Sequence, residues 1–305
     1  MLKKKYLIVI GGATASGKTA LAIQLAQHFG TDILSADSRQ FYREMSIGTA
    51  KPTAAELALV QHHFINNLSI EDDYSVGEFE EQALVVLSNI FQEKNVAIMV
   101  GGTGLYLRAV CEGLDDFPEV PLSIRAHFED IFDKEGIEVL QKKLQEVDNE
   151  YFTQVDIHNA PRLIRALSVW KVSGKPFSSF RKGGKAERDF EPIYLNLDVP
   201  RDVLYARINQ RVDDMIAAGL ISEAQKLTDF KAKNALMTVG YSELFDHFEG
   251  LLTLAEAIDK IKQHTRNYAK RQMTWFRKDL HWERFAPDNL DNILDCLHKK
   301  MSHNN

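Results

Sequence analysis

The residues from Gly12 to Thr19 fit the phosphate-binding loop pattern G-x-x-x-x-G-K-[ST] in full. The apolar run Leu7–Ile10 before them predicts a buried strand, and apolar residues recur at helical spacing behind them. A strand, a glycine-bearing loop and a helix N-terminus together direct backbone N–H groups and the helix dipole at an anion. Lys18 adds a mobile cation, and Thr19 adds a hydroxyl for Mg²⁺. We therefore predict a phosphate or diphosphate site formed by Gly12, Ala13, Thr14, Ala15, Ser16, Gly17, Lys18 and Thr19.

Two further polar residues directly follow predicted strands. Asp37 comes after the predicted strand Asp32–Ser35, and Thr103 lies in a glycine-rich turn after the predicted strand Val96–Val100. Because the carboxyl ends of parallel strands meet at one edge, we expect both residues to lie near the phosphate-binding loop. Asp37 there either ligates Mg²⁺, accepts a proton or caps a helix. Thr103 either donates to a leaving phosphate or serves as a turn hydroxyl.

The third predicted strand ends in Gly101, where many nucleotide hydrolases place an acidic Mg²⁺ ligand. This absence argues against hydrolysis of a nucleoside triphosphate. Arg207 and Arg211 are four residues apart in a predicted helix, so they share a face. Either they stabilise charge developing on a diphosphate, or they form ion pairs with acidic residues at the surface.

The composition is that of a globular protein, with 305 residues of which 45% are hydrophobic and 26% charged. Cys111 and Cys296 are far apart, which predicts neither a disulfide framework nor a zinc site and fits a reducing cytoplasm. No segment approaches the roughly 18 apolar residues of a membrane span, and the apolar run at the N-terminus is too short for a signal peptide. We expect a cytoplasmic protein without a membrane partner. We also expect a monomer, because no long apolar stripe is left unused.

The formal net charge of −6 argues against nucleic acid as a partner, but it conceals a local asymmetry. Between Lys260 and Arg284 there are eight Lys and Arg residues against two acidic residues. At helical spacing, this segment presents cations on one face, at Lys262, Arg266, Lys270 and Arg277, and aromatic and apolar residues on the other, at Ile261, Tyr268 and Trp275. The cationic face is either a solvated surface or a contact for phosphate backbones.

Predicted strands alternate with predicted helices along most of the chain, at Leu7–Ile10, Asp32–Ser35, Val96–Val100, Ile193–Leu197 and Trp282–Phe285. This order predicts an α/β fold: a P-loop-type core whose parallel sheet is flanked by helices. The segment 118–188 differs, because it is charged, helical in pattern and without a convincing strand. We predict an all-helical insertion domain there, and a core formed by 1–117 and 189–305 that carries the basic C-terminal helix.

Two boundaries inside the predicted insertion are marked by the sequence. Asn159 followed by Pro161 predicts a helix start, and Ser173-Gly174 predicts its end. The segment 178–185, with Arg181 and Lys182, is interpreted as a cationic loop or an ordinary surface loop.

The motifs together resemble those of the tRNA dimethylallyltransferases, the bacterial tRNA isopentenyltransferases, in the family's order and over nearly the whole chain. The matching segments are Gly12–Thr19, Asp37–Tyr42, Ile47–Pro52, Gly101–Tyr106, Pro161–Leu167, Gln210–Asp213, Val239–Tyr241 and Thr265–Arg277. The chain departs from the family pattern at Ala13, where proline is usual, and at Pro161, where glutamine is usual. Ala13 leaves the loop donors intact, whereas Pro161 removes one side-chain hydrogen bond.

The resemblance implies transfer of a dimethylallyl group from dimethylallyl diphosphate to the exocyclic amine of the adenosine 3′ of the tRNA anticodon. It implies that Lys18, Thr103, Arg211 and a Mg²⁺ ion near Thr19 stabilise the diphosphate, while Asp37 accepts the amine proton. Residues implied to bind the tRNA anticodon stem-loop are Asp37, Ser38, Arg39, Gln40, Thr103, Arg125, Pro161, Arg162, Leu163, Ile164, Arg165, Gly240, Tyr241, Lys262, Arg266 and Lys270.

Three other functions fit parts of this pattern. A P-loop kinase acting on a small molecule would use the same loop and an Asp base, but it gives no reason for the basic C-terminal helix. An adenylate isopentenyltransferase would transfer the same group to a free adenine nucleotide. An assay that compares AMP with tRNA as the acceptor distinguishes this function from transfer to tRNA. An RNA-binding NTPase switch would require nucleotide hydrolysis, against which Gly101 argues.

Overall fold

The computed structural model describes residues 4–181, 183, 186–279 and 281–302. The chain divides into two compact units. One, which we call the α/β unit, is formed by Met1–Cys111 together with Glu187–Asn305, and the other, the helical unit, is Glu112–Ala186. The sequence analysis placed the corresponding insertion at 118–188.

The α/β unit is built on one parallel sheet of six strands, in the order β3-β2-β4-β1-β5-β6. The strands are β1 Tyr6–Gly12, β2 Ile33–Ser35, β3 His62–His63, β4 Val96–Val100, β5 Glu191–Leu197 and β6 Glu283–Phe285. The predicted parallel sheet and its five predicted strands are confirmed. Strand β3 was not predicted, because two histidines offer no alternation of apolar and polar residues.

The central strand β1 lies between β4 and β5, and Ile8 pairs with Ile98 on one side and with Ile193 on the other. Every residue of β1 is buried, as expected of a parallel strand covered on both faces. Its side chains alternate between two cores. Leu7 and Val9 belong to the core that contains Phe79 and Phe276, and Ile8 and Ile10 to the core that contains Leu21 and Ile293.

Helices connect the strands and form the helical unit. In chain order they are α1 Lys18–Phe29, α2 Ala54–Leu59, α3 Val76–Glu93, α4 Gly104–Glu112, α5 Leu122–Glu135, α6 Ile137–Val147, α7 Asn149–Phe152, α8 Ala160–Ser173, α9 Arg201–Ala217, α10 Leu220–Lys226, α11 Ser242–Phe248, α12 Leu254–Lys278 and α13 Leu290–Ser302. Both α3 and α12 begin with capping boxes, Ser75 with Glu78 and Thr253 with Glu256, which fix where these long helices start. In the described part of the chain, no helix has the length and apolarity that crossing a membrane requires.

The helical unit contains α5 to α8 and has its own core, which includes Phe128, Leu140, Leu144, Leu163 and Leu167. The predicted boundaries of α8 are confirmed. The Asn159 side chain accepts from the Arg162 N–H with Pro161 in the first turn, and the helix ends at Gly174 in the left-handed conformation. In the predicted cationic loop, Arg181 donates to Gln154 at 2.9 Å, whereas Lys182 and Lys185 lie outside the described residues.

Candidate active site

The carboxyl ends of β1, β2 and β4 are joined by backbone hydrogen bonds. Gly101 N–H donates to Ile10 O at 3.1 Å, and Ala36 N–H donates to Val100 O at 2.7 Å. A Cβ on Gly101 would lie only 2.5 Å from Ala36 O, so this close approach requires glycine. The phosphate-binding loop, the Asp37 loop and the Gly101–Thr103 turn therefore leave the sheet side by side, as the sequence predicted.

The phosphate-binding loop from Gly12 to Thr19 has the backbone of an anion site. Gly12, Ala15 and Gly17 all have positive φ angles, of 146°, 62° and 96°. Helix α1 then begins at Lys18 without a side-chain cap, which leaves its first N–H groups available to a ligand. Ala15 has a Cβ atom, so its left-handed conformation is strained. Strained backbone of this kind is common in loops that bind ligands. The loop is thus shaped to surround an anion with N–H groups.

Lys18 is half-buried, and its ammonium donates to Ala13 O at 2.6 Å. Burial lowers the pKa of Lys18 to about 8; the Asp37 carboxylate opposes this shift, and the nearby Arg211 charge adds to it. The site therefore concentrates positive charge that has been removed from water. A bound diphosphate would stabilise the charged form of Lys18, because it places negative charge beside the ammonium.

Asp37 lies at the same sheet edge and is half-buried. Its Oδ1 accepts from the Arg39 N–H at 3.1 Å. Burial raises the pKa of Asp37 above its ordinary value, although the Arg39 N–H and the Lys18 charge both act to lower it. A carboxylate whose pKa is raised is a stronger base, so Asp37 suits the acceptance of a proton.

A cavity of about 320 Å³ lies at this edge of the sheet. Its polar wall includes Thr14, Asp37, Thr103 and Arg211. Its apolar wall comes mainly from α9 and α12 and from the turn before α11, at Ile208, Val212, Met215, Val239 and Ile261. A cavity of this size accommodates a small ligand that has a charged end and a short hydrocarbon end.

The two predicted arginines of α9 differ in position. Arg211 lines the cavity, and burial lowers the pKa of its guanidinium. Arg207 is exposed and is not among the residues that line the cavity. Of the two, only Arg211 therefore lies at the cavity, and its contact with a diphosphate stays a prediction. Thr103 also lines the cavity, and its carbonyl accepts from the N–H groups of Tyr106 and Leu107 at the start of α4.

Within the described part of the chain, no cluster of three or more His, Cys, Asp or Glu side chains could hold a metal ion. Thr19 supplies a half-buried hydroxyl in the first turn of α1, directly after the phosphate-binding loop. This hydroxyl fits Mg²⁺, which proteins usually bind through one or two side chains, substrate phosphates and water.

The sequence predicted that helix α12 has one cationic face and one face with aromatic and apolar residues. The structure agrees with this prediction only in part. Lys262 forms an ion pair with Asp213 at 2.6 Å, and Arg266 donates to Asn209 at 2.6 Å, so both contact α9. Lys270 is exposed, as the predicted phosphate contact requires. Tyr268, on the face predicted to carry aromatic and apolar residues, is 36% exposed and lines the cavity together with Asp37 and Thr103.

The residues after Asp37 and around Tyr241 form the rim of the cavity. Ser38, Arg39 and Gly240 line it directly. The Gln40 side chain is used within the protein, since its amide donates to Thr49 O and Ala50 O at 3.2 and 3.3 Å. Tyr241 is fully buried, so its implied contact with tRNA is not available to its side chain.

Sequence reasoning missed Glu223, which fixes the segment 46–48 at this rim. Its carboxylate accepts from the backbone N–H groups of Ser46, Ile47 and Gly48 and from the Tyr241 hydroxyl, at distances of 2.7 to 3.1 Å. The sequence gives no signal for this role, because a glutamate in a short, charged helix resembles any surface residue.

The predicted tRNA-binding residues of the helical unit fall into two groups. Arg125, Pro161, Arg162 and Arg165 are exposed, and Arg125 pairs with Glu129 at 2.8 Å. Leu163 and Ile164 are 0% and 6% exposed within the core of this unit. Their side chains therefore pack inside this unit, and the predicted contact of these two residues with tRNA stays a prediction.

The parallel sheet, the phosphate-binding loop and the cavity define the class of the protein as a P-loop-type α/β enzyme. Residues 40–279 match the family model described as IPP transferase. The chain therefore belongs to this family, that of the tRNA dimethylallyltransferases.

Individual relatives agree with the family match. The chain is 52% identical to the tRNA dimethylallyltransferase of Christiangramia forsetii, with 97% of this chain and 99% of that protein covered. It is 45% identical to the tRNA dimethylallyltransferase of Flavobacterium psychrophilum, with 98% and 99% covered.

Two solved structures share the fold. The full-length tRNA isopentenylpyrophosphate transferase of Bacillus halodurans is 35% identical, with a TM-score of 0.73 and 98% of each chain covered. A eukaryotic dimethylallyltransferase acting on tRNA is 26% identical, with a TM-score of 0.78, 94% of this chain and 75% of that chain covered.

Proposed function

We propose that this protein transfers the dimethylallyl group of dimethylallyl diphosphate to the exocyclic amine of the adenosine 3′ of the anticodon in tRNA, giving isopentenyladenosine. One observation carries the proposal: a single cavity joins the P-loop and Arg211 to the Asp37 carboxylate and to an apolar wall. An allylic diphosphate has a charged leaving group and a short hydrocarbon, and a prenyl acceptor has a proton to lose. The cavity has one group of residues for each of these features.

In this proposal the anion-binding groups stabilise the leaving diphosphate. The C–O bond of an allylic diphosphate breaks readily when negative charge on the departing oxygen is stabilised. The loop N–H groups, the Lys18 ammonium and the Arg211 guanidinium supply that stabilisation, and the Thr103 hydroxyl adds a hydrogen bond. A Mg²⁺ ion held at Thr19 would neutralise further charge on the diphosphate.

Asp37 orients the adenine amine and accepts its proton when the new C–N bond forms. An aromatic amine is a poor nucleophile while it keeps both protons, so a base within hydrogen-bonding distance accelerates its attack. Burial raises the pKa of Asp37, which makes the carboxylate a stronger base, while the Lys18 charge favours its ionised form. The apolar wall holds the five-carbon group and excludes water that would otherwise capture it.

The acceptor base has to leave the stack of the anticodon loop to enter this cavity. Ser38 and Arg39 line the cavity next to Asp37, and this position supports a contact with the flipped base or its neighbours. Lys270 of α12 and the exposed arginines of the helical unit, Arg125, Arg162 and Arg165, supply charge for phosphates of the stem-loop.

Incubation of the protein with unmodified tRNA and labelled dimethylallyl diphosphate, followed by nucleoside analysis, tests the proposal. We expect label in isopentenyladenosine, in a reaction that requires Mg²⁺. AMP in place of tRNA tests the adenylate isopentenyltransferase alternative, and labelled ATP with small-molecule acceptors tests the kinase. Transfer to AMP but not to tRNA, or transfer of phosphate from ATP, would overturn the proposal.

The proposal includes a monomer in the cytoplasm, where tRNA is modified. Light scattering on the purified protein, with and without tRNA, tests the first point. A mass that corresponds to two chains would contradict it.

A further inference from the structure

Gln272 of α12 has a buried side-chain amide that joins the two loops of the diphosphate site. It is 6% exposed. Its Oε1 accepts from the Thr14 N–H at 2.8 Å, and its Nε2 donates to Gly102 O at 2.9 Å. Thr14 belongs to the phosphate-binding loop, and Gly102 immediately precedes Thr103. One side chain from a distant helix therefore connects both loops.

The chemistry of the two partners determines the residue type at this position. The Thr14 N–H is only a donor and the Gly102 carbonyl only an acceptor, so the orientation of the amide is fixed. A neutral side chain of this length with one acceptor and one donor satisfies both. Because the amide is buried, loss of either bond would leave a polar backbone group without its partner.

The helical turns of α12 on either side of Gln272 also pack closely against these loops. A Cβ on Gly102 would collide with the Gln272 amide, one on Gly104 would collide with Trp275, and one on Gly11 would collide with Phe276. Three glycines at the sheet edge thus allow α12 to pack directly on the loops that follow β1 and β4. Gln272 provides the polar contact within this apolar packing.

We propose that Gln272 is a positioning residue that holds the phosphate-binding loop and the Thr103 turn at the separation that diphosphate binding requires. The proposal rests on the proposed function, because it assumes that these two loops bind a diphosphate. Gln272 does not contact the diphosphate in this arrangement. It acts through the Thr14 backbone and through the turn that carries Thr103.

The variant Gln272→Glu tests the role, because its protonation state decides which hydrogen bonds it makes. A protonated carboxyl group keeps one donor and one acceptor, so it can replace the amide. An ionised carboxylate cannot donate to Gly102 O and adds negative charge beside the anion site. The affinity of this variant should therefore approach that of the wild type at low pH and fall as the pH rises and the carboxyl loses its proton.

The probe is inorganic pyrophosphate with Mg²⁺, titrated calorimetrically over the pH range in which the protein stays folded. The result is expressed as the ratio of variant to wild-type dissociation constant, which cancels the titration of pyrophosphate itself. At high pH we expect this ratio to be about ten or more for Gln272→Glu, as for the loss of a hydrogen bond close to a charge. Gln272→Met, which makes neither bond, should be weakened by a similar factor at every pH.

Gln263→Glu is the matched control, because Gln263 is an exposed residue of the same helix and gains the same charge. It should bind pyrophosphate like the wild type at every pH. A ratio for Gln272→Glu that stays near one throughout would overturn the inference while leaving the proposed function intact. Failure of the wild type to bind pyrophosphate would contradict the proposed function and this inference together.

Discussion

At the scale of single residues, Asp37 combines roles that the sequence left as alternatives. Its Oδ1 accepts a local backbone N–H, as a capping side chain does, while its place in the cavity and the raised pKa suit a base. Local hydrogen bonding and catalysis are compatible, because a carboxylate has two oxygens. The cavity observed here favours the base over a purely structural role.

We expect Asp37→Asn to lower the single-turnover rate of prenyl transfer by a factor on the order of 10², as for a lost general base. Binding of dimethylallyl diphosphate should persist, because the loop supplies it separately. In the wild type the rate should rise with pH through the raised pKa of Asp37, since only the carboxylate accepts a proton, and should fall again once the Lys18 ammonium loses its proton. Asp73→Asn, at an exposed position, is the control. Near-normal chemistry in Asp37→Asn would exclude the base.

Lys18→Ala should weaken pyrophosphate binding by about tenfold to a hundredfold, as expected when a charge-assisted hydrogen bond is removed. The pKa of about 8 adds a pH signature. The ratio of the Lys18→Ala dissociation constant to that of the wild type, which cancels the titration of pyrophosphate, should shrink as the pH rises through this value, because the wild-type ammonium loses its proton. Calorimetric titration across this range measures both effects. Equal affinities at neutral pH would show that Lys18 does not bind the diphosphate.

The site residues that the sequence predicted have their partners nearby in the chain, whereas the residues that it missed have partners far away in the chain. The phosphate-binding loop, Asp37 and Thr103 could be identified because each follows a strand within a short stretch of chain. Glu223 and Gln272 depend on partners far away in the sequence, such as Gly48 and Thr14. No local pattern indicates such contacts, so only the folded chain reveals them.

At the scale of elements, α12 has three functions that the sequence did not separate. It packs on the sheet edge, lines the cavity with Ile261, Thr265 and Tyr268, and exposes Lys270. Helical periodicity predicted that α12 has a cationic face and an apolar face. It could not show that α9 covers part of the cationic face. It also could not show that the cavity leaves Tyr268 accessible, because a cavity depends on several elements at once.

Replacing Lys262, Arg266 and Lys270 by Gln should weaken tRNA binding and reduce its dependence on salt, because fewer phosphates are neutralised by the protein. Lys270→Gln alone should do so without changing the melting temperature, because Lys270 is exposed. The pair Lys262→Gln and Arg266→Gln should also lower the melting temperature, since both side chains contact α9. Filter binding at two salt concentrations and melting curves separate these effects. Wild-type binding by the triple variant would mean that this face is only solvated.

At the scale of the whole molecule, the sequence predicted an α/β sheet with a helical segment inserted between strands, and the fold confirms the sheet. The alternation of strands and helices predicted this architecture because it extends over most of the chain outside the helical segment. The core around Tyr241 could not be predicted. It is assembled from segments that lie far apart in the chain, among them those that contribute Met45, Val212, Leu220, Leu244 and Ile261.

Glu223 and Tyr241 connect these segments, and this leads to a last prediction. The Gly48 backbone lies against the Tyr241 ring, where a Cβ would be 2.6 Å from the ring carbons, and the Tyr241 hydroxyl donates to Glu223 at 2.7 Å. Glu223→Leu removes the acceptor for three backbone N–H groups and this hydroxyl, so it should lower the free energy of unfolding by roughly 3 kcal/mol or more.

Tyr241→Phe is the milder, matched change, because it keeps the ring against Gly48 and removes a single hydrogen bond to a carboxylate. It should cost about 1.5 to 3 kcal/mol. Urea unfolding of both variants measures the effects. Because Gly48, Thr49 and Ala50 line the cavity, prenyl transfer should fall in Glu223→Leu even under conditions where the protein remains folded. Wild-type stability in Glu223→Leu would show that solvent satisfies these N–H groups and that the segment 46–48 is held by packing alone.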